Sequence, residues 1–380
     1  MQRRIRYITL TCIILITLFV LHQKYSTIWM TDDFSPSPSS SHPEEDIMAP
    51  PDEDVETFPI PKAPQRANAT LVMLARNSDI SGALLSVRAL EDRFNRHHHY
   101  PWVFLNEEEF SEARRRIRVL TPSTVEFGVI PREHWFQPDW VDKEKQQQEM
   151  AQMNRQNVKY GVVARRSYHN MCRFNSGFFF QHPLMLKYKW YWRVEPNVKY
   201  HCNIIEDPFL FMENNDKIYG FTLAVYEIPA TIRSLWTHVH EFMEAHPEYI
   251  RETENALKFI SNDRGRSYNR CHFWSNFEIA SLDFWRGEAY TAFFKHLDAT
   301  GGFYYERWGD APVHSIAASL FLKKEQIHLF EEIGYQHDDW SHCPREQTTW
   351  EAGRCLCSSG DSFDYSGDSC RRQWDALGIS

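Results

Sequence analysis

The 380-residue sequence contains neither a G-x-G-x-x-G nor a G-x-x-x-x-G-K-[ST] run, so dinucleotide-binding and P-loop readings have no support. Basic charge is also short. Lys and Arg number 42 against 51 Asp and Glu, a net charge of -9, which argues against a nucleic-acid binder with its usual basic face. No internal repeat is present. No small-x-small cleavage pattern follows the apolar run Tyr7–Leu21, which weakens the reading of a cleaved signal peptide.

What is present begins with that run. Arg3, Arg4 and Arg6 precede it, and His22–Met30 extend it to an adequate spanning length. Positive charge before a span keeps the N-terminus cytosolic, so residues 7–30 are read as a type II signal anchor behind a cytosolic tail of residues 1–6. Residues 31–67 are rich in Ser, Pro, Asp and Glu, with sparse apolar residues and no period. Such a segment cannot bury enough surface to offset its ordering entropy and reads as a flexible luminal stem. Asn68-Ala-Thr70 is an N-glycosylation acceptor pattern.

Hydrophobic residues make up 42% of the chain, enough for a sizeable core. Aromatics reach 15%; they line many sugar sites, but they fill cores everywhere, and the core reading takes precedence. Of eight cysteines, Cys12 lies in the anchor. Cys172, Cys202, Cys271, Cys343, Cys355, Cys357 and Cys370 remain, an odd set that leaves at least one free or intermolecular. An oxidising lumen permits disulfides. Cys355 and Cys357 flank a single residue, against the usual zinc spacing, so disulfides stapling a loop-rich tail are expected.

After the stem, strand and helix alternate. Ala69–Ala75 is a continuous apolar run, the mark of a strand buried on both faces. Ser81 can cap a helix with Leu84, Val87, Leu90 and Phe94 on one stripe. Tyr100–Leu105 and Val125–Ile130 are further strands, with Asn106 placed to cap a helix between them. This order implies a parallel sheet flanked by helices, whose ligands sit beyond the carboxyl ends of the strands. Arg76 and Asn77 lie at such an end. Tyr188–Val194 and Lys217–Glu227 read as strands, and Glu241–Ile260, Phe284–Leu297 and Pro312–Leu322 as helices.

The residues suggest where chemistry could sit. Glu195 follows an apolar strand and precedes Pro196, which stops the ladder, so it should stand at the sheet's carboxyl edge. A hard cation takes carboxylate and imidazole ligands, but a surface glutamate explains the spacing as well. His337, between Gln336 and Asp338, is a second ligand candidate or an ordinary hydrogen-bonded histidine. Glu278 lies in a run that mixes Asn, His, Ser and Glu with aromatics. Buried polar groups there must be paired, which suits a sugar pocket and a structural network equally. Asp310 precedes a helix and could simply cap it.

Taken together, these stretches resemble glycosyltransferase family 15, the fungal α-1,2-mannosyltransferases of the Golgi. The resemblance rests on Leu74-Ala-Arg-Asn-Ser78, Glu91-Asp-Arg-Phe-Asn95, Tyr100–Asn106, Met171-Cys-Arg-Phe174 with Ser176-Gly-Phe-Phe179, and Tyr191-Trp-Arg-Val-Glu-Pro196. Tyr268–Ile279, Glu306–Ser315 and Gly334–Asp339 complete it. It implies a GT-A fold, a Rossmann-like mixed sheet flanked by helices, over a catalytic domain at 68–344, followed by a Cys-containing tail at 345–380. It further implies retaining transfer from GDP-mannose to a mannosyl glycan or glycoprotein, with Mn²⁺ held by Glu195 and His337. Tyr168, Arg193, Glu278 and Asp310 correspond to active-site residues, and Arg76, with its neighbour Asn77, to the nucleotide side. Tyr168-His-Asn-Met171 departs from the more usual Tyr-Arg-His-Met, which points to a change in acceptor preference. The competing classes are a non-catalytic lectin-like or scaffolding glycoprotein and a glycosidase with paired carboxylates.

Overall fold

The computed structural model describes residues 65–378 except 112, 157 and 159–165. The anchor expected at 7–30 and nearly all of the stem lie outside the described residues. No helix among the described residues is long and apolar enough to cross a membrane.

Strands β1 (Ala69–Leu74), β2 (Trp102–Asn106), β3 (Val125–Val129), β4 (Trp190–Val194), β5 (Lys199–Tyr200), β6 (Tyr219–Phe221), β7 (Ala224–Tyr226), β8 (Cys271–Phe273), β9 (Phe277–Ser281), β10 (Ile327–Leu329), β11 (Tyr335–His337) and β12 (Trp340–His342) form three sheets. The main sheet runs β10-β6-β9-β4-β1-β2-β3. Its pairings are parallel except where β9 inserts antiparallel between β6 and β4. The apolar run of β1 is buried on both faces, as its composition requires. Leu71 and Met73 join Phe104, Trp192 and Ile279 on one side, and Val72 joins Val103, Tyr191 and Ala280 on the other. Full burial of such side chains contributes about 1.5–3 kcal/mol each.

Alternation along β4 and β9 then decides where the polar residues go. Arg193 shares a face with Tyr191, Glu278 shares it with Ala280, and the two are direct cross-strand partners. The helix Asp310–Phe321 covers that face. Every residue in it but Ala311 is buried, as an all-round apolar helix must be.

Several sequence expectations shift. The stretch Lys217–Glu227 is not one strand: β6 belongs to the main sheet, and β7 leaves it to pair with β8. The helix expected over Glu241–Ile260 is instead Leu235–Ala245, a tight turn at Pro247–Tyr249 and a short helix Leu257–Ile260, because proline cannot continue the first helix. Gly287 divides Phe284–Leu297 into Leu282–Arg286 and Glu288–Ala299. Ser81 lies inside the helix Ile80–Leu90 and does not cap it. Asn106 ends β2, and its side chain accepts a hydrogen bond from the Glu107 amide.

The tail is stapled to the body. Disulfides join Cys202 to Cys355, Cys271 to Cys370 and Cys343 to Cys357. Among the described residues Cys172 is the free, buried thiol, pushed up by burial and so poorly nucleophilic. A buried ion pair adds to the staple: His342 Nδ1 donates to Asp364 Oδ2 at 2.8 Å, and His342 Nε2 contacts the Glu331 carbonyl oxygen at 3.0 Å. Burial works against both charges, but each partner outweighs it, raising the His342 pKa and lowering that of Asp364. The histidine contribution is full below its unfolded pKa of about 6.5 and is lost as pH rises through the higher folded value. The aspartate contribution is full above about 3.9 and is lost as pH falls through the lower folded value. Asp364→Asn should therefore cost most thermal stability between about pH 4 and 6.5, with the gap narrowing at alkaline pH. Melting both proteins across pH checks this, and a gap independent of pH would show that the pair is not ionic.

Candidate active site

Two connected hollows open beyond the carboxyl ends of β1, β2 and β4. One, of about 470 Å³, is lined by Leu74, Arg76, Asn106, Trp135, Tyr168 and Glu195 among others. The other, of about 320 Å³, is lined by Arg193, Glu227, Trp274, Asp310, His337 and Trp340 among others. Tyr168, Met171 and Glu195 border both, so they form one cleft with a waist.

Glu195 stands at the carboxyl edge because β4 ends at Val194 and Pro196 follows. The turn after it packs closely on the first helix. A Cβ at Gly82 would stand 2.5 Å from the Asn197 side chain, whose residue adopts φ 66°. β5 then pairs antiparallel with β11, and the two-residue turn between β11 and β12, with Asp338 at φ 49°, leaves His337 beside it on the cleft. This pairing is how Glu195 and His337, far apart in sequence, reach one cleft.

Arg193 is the hub of the floor. Its Nε donates to Glu195 Oε1 at 2.7 Å, and its Nη1 donates to Asp310 Oδ2 and, at 3.4 Å, to Ser275 Oγ. Burial opposes its charge, but Asp310, Glu195 and Glu278 together more than compensate and hold it protonated. Asp310 also accepts from Ser275 Oγ at 2.7 Å. Burial alone would raise its pKa; Arg193, His314 and Ser275 outweigh it, and the carboxyl sits below the usual range. The capping role considered for Asp310 is not what the structure shows, since its carboxylate is committed to Arg193 and Ser275 and Gly309 occupies the cap position.

Glu278 lies beneath this floor, outside the open cleft. It is 1% exposed. Its Oε1 accepts from the Tyr191 hydroxyl at 2.6 Å; its Oε2 accepts from the Tyr219 hydroxyl at 3.1 Å and contacts His314 Nδ1 at 3.1 Å. Burial, then the Glu278 charge, pushes both tyrosine hydroxyls up, so they remain donors. The aromatic enclosure expected from the sequence is present, but both carboxylate oxygens are already engaged.

Tyr168 sits at the waist, where its hydroxyl accepts from Arg307 Nη1 at 3.1 Å and burial raises its pKa. Arg307 Nη2 donates to Glu227 Oε1 at 3.1 Å. Arg76 lines the first hollow and pairs with Asp79 at 2.8 Å. Asn77 does not line it, contrary to expectation. Its amide is turned away to Glu108 Oε1 at 2.9 Å and the Glu109 carbonyl at 3.0 Å, and so braces the 108–111 loop. His169 and Asn170, the departures from the family pattern, are also turned inward, against the Phe303 carbonyl at 2.6 Å and the Tyr304 hydroxyl at 3.1 Å. They are buried and do not line the cleft, so an effect on acceptor choice would have to be indirect.

Sequence reading missed Glu227 and Arg307. A signal for Glu227 existed: like Glu195, it closes an apolar run just before a proline turn. Carboxylates exceed guanidinium groups around this cleft, with Asp79, Glu195, Glu227, Asp310 and Asp338 set against Arg76, Arg193 and Arg307. Such an excess favours a cation. The second Glu195 oxygen has no hydrogen bond among the described residues, and Glu195 and His337 line the same hollow, a carboxylate and an imidazole of the kind a hard cation takes. Among the described residues, no group of three or more His, Cys, Asp or Glu is arranged to hold a metal.

The family model of glycolipid 2-alpha-mannosyltransferases matches residues 25–377. The chain is 46% identical over 321 residues to glycolipid 2-alpha-mannosyltransferase 2 of Candida albicans, covering 84% of this chain and 69% of that one. It is 50% identical over 306 residues to the alpha-1,2 mannosyltransferase KTR1 of Saccharomyces cerevisiae, covering 80% and 77%. The solved mannosyltransferase Ktr4p of S. cerevisiae in complex with GDP superposes with a TM-score of 0.78 at 42% identity, covering 83% of each chain. The Mn/GDP form of core-mannan synthase A from Aspergillus fumigatus gives 0.77 at 37% identity, covering 84% and 88%.

Proposed function

The chain belongs to the glycolipid 2-alpha-mannosyltransferase family, and we propose that it transfers mannose from GDP-mannose to the 2-hydroxyl of a mannosyl acceptor, with retention, on a GT-A scaffold. The observation that carries this reading beyond the family is the meeting of Glu195 and His337 at a cleft with excess carboxylate charge. Mn²⁺ bound there would neutralise the leaving diphosphate.

The chain's own residues then divide the work. Arg76 and Asn106 border the donor hollow. Arg193 fixes the Glu195 carboxylate and ties it to Asp310. Tyr168, at the waist, lies where donor and acceptor hollows meet, and its raised pKa keeps it a hydrogen-bond donor. Trp274 and Trp340, with ring centroids 4.9 Å apart, offer apolar faces for a sugar in the acceptor hollow. Glu278, enclosed and fully bonded, supplies negative charge beneath the reacting centre rather than a nucleophile.

A glycosidase reading would need two carboxylates flanking a scissile bond. Asp310 is held by Arg193 and Ser275 and Glu278 is enclosed, so the geometry disfavours it. Incubating the protein with GDP-mannose, with and without a mannoside, separates the classes. Acceptor-dependent, Mn²⁺-dependent release of GDP is expected, whereas acceptor-independent hydrolysis alone would defeat the transferase reading.

The proposed location is the Golgi membrane, with the catalytic part luminal. The support is Arg3, Arg4 and Arg6 ahead of Tyr7–Leu21, and three disulfides, which suit an oxidising compartment. The C-terminal domain should resist protease in intact vesicles and be digested once detergent is added; digestion without detergent would sink the assignment. Mannosyl chains of O-glycans, N-glycans and glycolipids are the acceptor classes in view.

A further inference from the structure

A histidine that ligates a metal through Nε2 must carry its proton on Nδ1, and something must accept that proton's hydrogen bond. At His337 the only side-chain partner of Nδ1 among the described residues is the Asn276 amide, whose Nδ2 is placed 2.7 Å away. Asn276 is buried at 9% exposure. The oxygen and nitrogen ends of a primary amide have the same shape, so this contact has two chemical arrangements.

If Nδ2 faces the ring, Nδ1 is the acceptor and neutral His337 keeps its proton on Nε2, where no metal can bind. The Tyr335 hydroxyl, fully buried, then has one proton for two acceptors, the Asn276 backbone oxygen at 3.3 Å and the amide Oδ1 at 3.2 Å. If the amide is turned over, each of these contacts pairs one donor with one acceptor. Nδ1–H donates to Oδ1, Nδ2 donates to the Tyr335 oxygen, and the Tyr335 hydroxyl gives its single proton to the Asn276 carbonyl. The Nε2 lone pair is left free. Resting on the reading of His337 as a metal ligand, we infer that Asn276, with Tyr335 behind it, is a positioning residue that fixes His337 in the Nε2-ligating tautomer.

A carboxylate accepts from Nδ1–H but cannot donate to Nδ1. The experiment titrates Mn²⁺ in the presence of GDP into the full chain and its variants, following free Mn²⁺ by electron paramagnetic resonance, with melting curves on the same samples. Asn276→Asp should bind Mn²⁺ at least as tightly as the wild type, and Asn276→Leu should bind roughly ten- to a hundredfold more weakly. His337→Ala separates the failures. If it leaves Mn²⁺ affinity unchanged, the ligand reading itself falls. If it weakens binding but Asn276→Leu does not, the tautomer inference is overturned. Should Asn276→Leu fold poorly, Asn276→Asp decides alone: wild-type affinity supports the inference, and a loss equal to that of His337→Ala overturns it.

Discussion

Replacing Glu195 by Gln should abolish Mn²⁺-dependent binding of GDP while leaving the fold intact. The substitution keeps the side chain's size and removes its charge. In the native site Arg193 Nε donates to one Glu195 oxygen at 2.7 Å, which orients the other toward the cleft. A neutral amide would offer the cation a much weaker ligand, and one of its ends would present N–H groups to the guanidinium. Arg193 itself would remain held by Asp310 and Ser275, so the floor of the cleft should not collapse. Calorimetric titration of GDP with and without Mn²⁺ checks this. An unchanged Mn²⁺-dependent affinity in a folded Glu195→Gln protein would remove the ligand role.

Glu278→Gln should leave donor binding near normal and lower turnover by roughly two to three orders of magnitude, equivalent to about 3 to 4 kcal/mol of transition-state stabilisation. The reason is electrostatic. Glu278 is enclosed by Tyr191, Tyr219, Trp285 and His314, where a charge acts through a low local dielectric. Positive charge develops at the anomeric carbon only on the way to the transition state, so the loss should fall on kcat rather than on GDP-mannose binding. A purely structural role forecasts something else. Gln would turn N–H groups toward the Tyr191 or Tyr219 hydroxyl, leave a buried donor unsatisfied, and lower the melting temperature, with activity following the folded fraction. Melting, donor binding and transfer on one preparation decide between them. A folded variant that binds donor and transfers at the wild-type rate would exclude any catalytic part for Glu278.

The sheet was legible where the residues left little choice. The run Ala69–Ala75 is apolar at nearly every position, and such a segment is comfortable only with both faces covered. Glu195 was legible because Pro196 fixes where β4 stops. The run around Glu278 announced a buried polar network, but spacing could not say that both carboxylate oxygens were already bound. That depends on Tyr191, Tyr219 and His314, brought together by strand order and by the covering helix. Asn77 misled for a related reason: its position at the end of β1 is right, but its amide finds closer partners at Glu108 and Glu109. Gly287, Pro247 and the departure of β7 were visible as residues. Their effects depend on which neighbours were available to pair with, and only the folded chain shows that. The proposed metal ligands are the extreme case, because Glu195 and His337 come to one cleft through the pairing of β5 with β11.

The most direct check is the product itself. The protein should be incubated with GDP-mannose, Mn²⁺ and α-methyl mannoside, and the disaccharide examined by nuclear magnetic resonance. Retaining transfer predicts a single new α-linked mannose on the 2-hydroxyl, formed only with divalent metal present and lost in Glu195→Gln. Free mannose as the only product, a β linkage, attachment at another hydroxyl, or full activity after metal removal would contradict it.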